Sequence, residues 1–291
     1  MAGIQTALRY DPHGSRNEKL EDLTSKFRAK DNAEFLAEVA RNLANLGASG
    51  EGPSVAKDGA ACIGLMGEYG LIGYAIRRGQ EILRVDHTPS HWSHVFLFPG
   101  PLSTDPAAIR DESRSPWIWE STLEPASLSN SFVNRNGVGP RRFADYARAD
   151  YDLFAPHCVP NIAVIAIALT ENERKAILDR ADDPDVDQLH YDLSGLLGTW
   201  YAYITNTAHQ PNPIGAGNGV YCSAYVQLAY DAAGIDLAPG AHLRNTSPEH
   251  IWQAARYLQG TFRYTDPKTH KVSPRPLVGW YCVRDPACVI L

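Results

Sequence analysis

Residues 218–234 read NGVYCSAYVQLAYDAAG. A glycine-containing loop leads into a run that predicts a helix to about Ala233, with Gly234 as its stop. Cys222 falls in the first turn of that helix. There the aligned peptide dipoles present about +0.5 of an elementary charge, and the first N–H groups lack acceptors within the helix. Both features favour a thiolate, and cysteines so placed ionise more readily than free ones. The amide of Cys222 can form part of an oxyanion hole, with Tyr221 and Ser223 as supporting candidates on either side. Cys222, Tyr225, Val226 and Ala229 recur at i, i+3, i+4 and i+7, the face that packs on the rest of a domain. A nucleophile on that face requires a base presented by a facing sheet. Taken alone, the segment also reads as a helix carrying a small core cysteine.

The best candidate for the base is His94, near the start of SHVFLF (93–98). The length and aromatic content of this run predict a strand, with His94, Phe96 and Phe98 on one face and Val95 and Leu97 on the other. A titratable ring at the mouth of an apolar strand is held rigidly, as a general base requires. His91 is an alternative in the preceding loop. Glu120 ends the next predicted strand, WIWE (117–120). If the two strands are neighbours, its carboxylate reaches the far nitrogen of His94, fixes the tautomer and stabilises the imidazolium. Glu112 and Glu124 are weaker options, because they are expected to lie in polar loops.

Around these segments the chain predicts an α+β fold, with an antiparallel sheet packed against the cysteine helix. Further strands are expected at Ile162–Leu169 and Leu277–Val283, and further helices at Glu171–Arg180 and Pro248–Leu258. The last helix opens on Thr246-Ser247-Pro248, a capping residue followed by proline in the first turn. Residues 16–47 have apolar side chains at helical spacing, Asp31 and Glu34 resemble a capping box, and Gly47 offers a stop. The Gly/Ser/Pro-rich GASGEGPS (47–54) follows, so a helical N-terminal region (1–55) is expected before a main domain (56–291).

The chain has 291 residues, 44% hydrophobic and 21% charged, the balance of a globular protein. Its net charge of -6 argues against nucleic acid as a partner. The N-terminus lacks a basic stretch followed by an apolar one, and the longest apolar run, IAVIAIAL (162–169), is far too short to span a membrane. The expectation is a cytoplasmic protein with no integral membrane segment, unless it is exported by a route that needs no signal peptide. GAGNG (215–219) lacks the Lys-Ser/Thr of a phosphate loop, and no HExxH or CxxC is present, so neither a metal nor another cofactor is expected. The count of five cysteines leaves at least one thiol unpaired. Cys62, Cys158, Cys282 and Cys288 are expected to be buried structural thiols.

Three segments, SHV (93–95), WIWEST (117–122) and YCSAYVQLAY (221–230), occur in an order that resembles the circularly permuted branch of the NlpC-type papain-like cysteine hydrolases. In that branch the His strand precedes the Cys helix. Tyr191-Asp192, about thirty residues before Cys222, matches a Tyr-Asp element of permuted members, and TSPEHIW (246–252) is similar to their downstream helix start. The resemblance covers roughly residues 60–260. It implies a circularly permuted papain-like fold with Cys222 as nucleophile, His94 as base and Glu120 as third polar member.

The chemistry so implied is acyl transfer through a thioester. Substrates in the resembled superfamily divide between peptide or amide bonds, including cell-wall peptides, and lipid esters, as in lecithin:retinol acyltransferase relatives. The expectation is a cysteine peptidase or amidase acting on a peptide or peptidoglycan fragment. A lipid acyl hydrolase or acyltransferase is the alternative, and a non-catalytic interaction domain a further one. If the protein is an exported effector, an immunity protein is its expected partner.

Overall fold

A computed structural model describes residues 19–49, 58–125, 133–147, 159–187, 193–205, 207–210, 219–257, 263–265, 272–273 and 276–284. In chain order its elements begin β1 (Leu20–Asp22), α1 (Thr24–Phe27), α2 (Asn32–Ser49), β2 (Cys62–Gly67) and α3 (Leu71–Gly79). There follow β3 (His94–Phe98), α4 (Pro106–Arg110), β4 (Trp117–Pro125), β5 (Val133–Arg142) and α5 (Ala144–Ala147). Next come β6 (Asn161–Ile167), α6 (Glu171–Ala181), α7 (Pro184–Asp187), α8 (Leu193–Ile204) and α9 (Cys222–Asp231). The rest are β7 (Ile235–Asp236), α10 (Pro248–Tyr257), β8 (Arg263–Thr265), β9 (Val272–Ser273) and β10 (Leu277–Cys282).

The fold is α+β. A seven-stranded sheet runs β1-β10-β6-β2-β3-β4-β5, and β7, β8 and β9 form a small second sheet. The large sheet is mixed rather than purely antiparallel, because β1 lies parallel to β10 while the other neighbours are antiparallel. Alternate residues of its central strands enter two separate cores. Ile63, Leu65, Val95, Leu97 and Ile165 pack with α6, α9 and α10 on one face. Phe96, Phe98, Ile162 and Val164 pack with α2 and α5 on the other. Strands buried on both faces read as continuous apolar runs, which is why β6 is plain in the sequence.

Helix was expected through residues 16–47, but Leu20–Asp22 form β1. The segment gains main-chain hydrogen bonds from the sheet edge, with Gly279 N donating to Lys19 O and Leu23 N to Tyr281 O. Helix α2 carries past Gly47 to Ser49. Its start is as read, with Asp31 Oδ1 accepting from Glu34 N at 3.1 Å. Phe35, Leu36, Val39 and Leu43 of α2 share the core of Phe96 and Phe98. A boundary at residue 55 therefore crosses one continuous core.

Strand β2 was not anticipated, because Gly64 and Gly67 interrupt its apolar pattern. Gly64 has a packing role: a Cβ there would meet the Phe96 ring at 2.0 Å. The ring thus packs against β2 at Gly64 and stacks on Tyr146, with centroids 5.8 Å apart and planes 16° apart. Cys62 and Cys282 are buried free thiols, as expected, whereas Cys158 and Cys288 lie outside the described residues. Burial pushes the Cys62 thiol up to about 12, which keeps it protonated and inert. Among the described residues no helix is long and apolar enough to cross a membrane.

Candidate active site

Helix α9 is buried almost all round, and its polar side chains are tied to main-chain groups. Tyr225 Oη donates to Ala181 O at 3.1 Å, Tyr230 Oη to Ala61 O at 2.5 Å and Ser223 Oγ to Thr246 O at 2.7 Å. These anchors fix the rotation of the helix and hence the direction of Cys222, which is 3% exposed. Tyr221 caps the helix in an extended conformation without offering a side-chain acceptor to the first-turn amides. Its hydroxyl instead donates to Arg244 O at 2.5 Å and lies 2.9 Å from Thr199 Oγ1. Both residues that flank Cys222 therefore commit their hydroxyls to structure. What they offer an oxyanion is main-chain N–H at the positive end of a helix.

Strands β3 and β4 are neighbours, paired through Leu97 and Trp119. His94 Nε2 and Glu120 Oε2 are 2.7 Å apart, with both side chains buried. The charge of Cys222 also acts on the His94 ring, and with Glu120 on Nε2 the other ring nitrogen is Nδ1. The structure thus brings all three residues together in the order Glu120, His94, Cys222. By strand alternation His94 and Glu120 belong to the sheet face of Tyr146 and Phe96, opposite the face that receives α9. His94 bridges the two layers because it is the first residue of β3, where the sheet no longer separates them. Ser121, on the alternate face of β4, donates to Val220 O at 2.6 Å and ties the glutamate strand to the approach of α9.

The electrostatics follow from burial and charge. Burial opposes a charged His94 ring, but the charges of Cys222 and Glu120 outweigh it, so the ring holds its proton well above the ordinary histidine value. Burial likewise opposes a charged Glu120, and His94, Arg141 and Tyr146 overcome it to hold the carboxyl below its usual value. Tyr146 Oη donates to Glu120 Oε2 at 2.8 Å, and Arg141 Nη1 lies 3.5 Å from Oε1. Sequence reading missed both residues. They arrive through the long-range pairing of β5 with β4 and the turn into α5, which no local periodicity marks.

The alternatives lie elsewhere. The His91 ring packs edge-on against Trp92. Burial, followed by repulsion from Arg84 and Arg77, pushes it down to about 4. Glu112 is exposed, and Glu124 lies in β4 opposite Arg135 of β5 rather than in a loop, its side chain being outside the described residues. Tyr191 and Asp192 are outside them too, as is most of the 215–219 loop.

Cys222 lines a cavity of about 500 Å³, a size typical of small-molecule sites. Its walls are α3 and α8, with Ile72, Ala75, Ile76, Trp200 and Tyr203 giving it an apolar lining. Ser93, Ser247 and Pro248 also line it. Gln80 also lines it, but its amide is spent holding the wall together: Nε2 donates to Trp92 O and Oε1 accepts from Glu249 N, each at 2.8 Å. Neither α3 nor α8 was anticipated from the sequence. Comparisons with protein-family models, with curated proteins and with solved structures return no match to this chain.

Proposed function

We propose that the protein is a cysteine hydrolase that works through a thioester acyl-enzyme, on a fold arranged like the circularly permuted papain-like enzymes. The observation that carries this reading is the buried Glu120–His94 pair, whose ring feels Cys222, with Cys222 lining a cavity. Glu120 accepts from Nε2–H and so leaves the Nδ1 lone pair for the thiol proton. The Cys222 thiolate attacks the substrate carbonyl, and the first-turn amides of α9 receive the developing oxyanion. The imidazolium gives its proton to the leaving group, and water, alcohol or amine then resolves the thioester.

Peptides and amides remain one substrate class for this chemistry. The apolar walls of the cavity favour the other, an ester whose acyl part is a hydrocarbon chain. The test is intact-protein mass spectrometry during reaction with p-nitrophenyl esters of increasing chain length and with peptide amides. The expected result is an acyl adduct on Cys222, absent in Cys222→Ala, that forms faster with longer chains. Absence of any adduct and of any turnover would leave a non-catalytic domain as the better reading.

A further inference from the structure

We propose that Arg141 and Tyr146 are positioning residues that keep Glu120 ionised when His94 is neutral. The inference rests on the acyl-enzyme reading, in which His94 alternates between imidazolium and imidazole. Glu120 is 1% exposed, and a carboxylate so deeply buried needs partners for its charge. Imidazolium is such a partner, but its charge is gone once the proton has left with the product. If Glu120 then took up a proton, its oxygen would donate to Nε2 and drive the remaining ring proton onto Nδ1. That tautomer faces Cys222 with an N–H and cannot accept the thiol proton.

The groups around Glu120 oppose that outcome. His94 of β3 and the Tyr146 hydroxyl of α5 share Oε2, at 2.7 and 2.8 Å. Arg141 of β5 faces Oε1 at 3.5 Å and is itself buried. Beyond it, Asp145 Oδ2 accepts from Arg141 Nε at 2.7 Å, which fixes the guanidinium and balances its charge. Arg141 also lies 5.1 Å from the centre of the Tyr146 ring, so the two residues brace each other. One cation and one hydroxyl therefore remain on the carboxylate through the neutral half of the cycle.

The test reads the Glu120 carboxyl directly by isotope-edited infrared spectroscopy of the full chain, with Glu120→Gln to assign the band. His94→Gln stands for the neutral ring. Glu120 is expected to stay a carboxylate at pH 7 in His94→Gln. In His94→Gln/Arg141→Met it is expected to show a carboxylic-acid band, with proton affinity raised at least tenfold. Tyr146→Phe, which keeps the ring stacked on Phe96, should move the titration in the same direction by less, and it stands in if the arginine variant fails to fold. An unchanged titration in folded Arg141→Met and Tyr146→Phe variants would overturn the proposal, as would a protonated Glu120 in His94→Gln alone. The readout needs no turnover. Failure of the acyl-enzyme reading would appear separately, as Cys222 alkylation that ignores His94.

Discussion

The Ser121 hydroxyl donates to the main-chain carbonyl of Val220 at 2.6 Å, inside the protein. Ser121 follows Glu120 on β4, and Val220 stands two residues before Cys222. One bond thus sets the spacing between the strand that aims the imidazole and the helix that carries the sulfur. Ser121→Ala leaves a buried carbonyl without its partner, at a cost of about 1–3 kcal/mol. The expected outcome is a lower unfolding midpoint together with slower alkylation of Cys222. An equal loss of stability at a distant core site should not slow the alkylation.

Gly64→Ala tests the packing beneath the histidine. A methyl group there collides with the Phe96 ring, which carries Tyr146 on its far side. Overpacking of this kind costs typically about 1–3 kcal/mol. Because Tyr146 holds Glu120, the substitution should also depress activity more than its stability loss explains. Equilibrium denaturation and kcat/KM, measured side by side, check this.

His250 is buried in α10, and burial pushes it down to about 4. In the unfolded chain it titrates near the ordinary value of about 6.5. Between those values the unfolded state binds the extra proton, so stability rises with pH across the window and is lost as pH falls from about 6.5 toward 4. His91, held down to about 4 by burial and by Arg84 and Arg77, adds to the same slope. Chemical denaturation at several pH values should show this dependence, and His250→Gln should flatten part of it.

The cavity wall offers a test of substrate class. Ile72 lines the cavity and is 57% exposed, so its replacement should spare the fold. Ile72→Glu places a charge beside the proposed chain-binding surface. On esters with long acyl chains KM should rise several-fold while kcat changes little, the pattern of lost uniform binding. On short acyl groups the variant should match the parent chain.

The parts of the fold legible in the sequence are those whose signal is local. Helix α6 runs Glu171–Ala181, one residue beyond the span its sequence predicts, and its Thr170 and Glu173 cap each other reciprocally. Strands β3, β6 and β10 also lie close to where their apolar runs place them. His94 opens β3, whereas Glu120, expected to end its strand, lies inside β4, which runs on to Pro125; the two could be paired because their strands follow each other in sequence and are neighbours in the sheet. The illegible parts depend on contacts between distant segments. β1 is a strand only because the edge of β10 is there to pair with it. Arg141 and Tyr146 matter only because β5 folds back on β4. Of the two helices that wall the cavity, α3 carries Arg77 and Arg78 in its last turn, and this pair alone does not announce a ligand.

Under the proposed mechanism, the basic side of the pH profile reports His94. With Glu120 beside it, the imidazolium persists well above the ordinary histidine value, so the leaving group can be protonated at neutral pH and above. Removing that charge in Glu120→Gln should move the basic limb of kcat/KM to lower pH, because the ring then loses its proton sooner. A limb that stays in place would assign it to another group.

The central claim is that His94 and Cys222 act as one ionising pair. Its most direct test is the rate of iodoacetamide labelling of Cys222 against pH, resolved by mass spectrometry, in the parent chain and in His94→Ala. The account predicts that Cys222 is labelled faster in the parent chain than in His94→Ala, with a different pH profile. Identical profiles in the two proteins would contradict it.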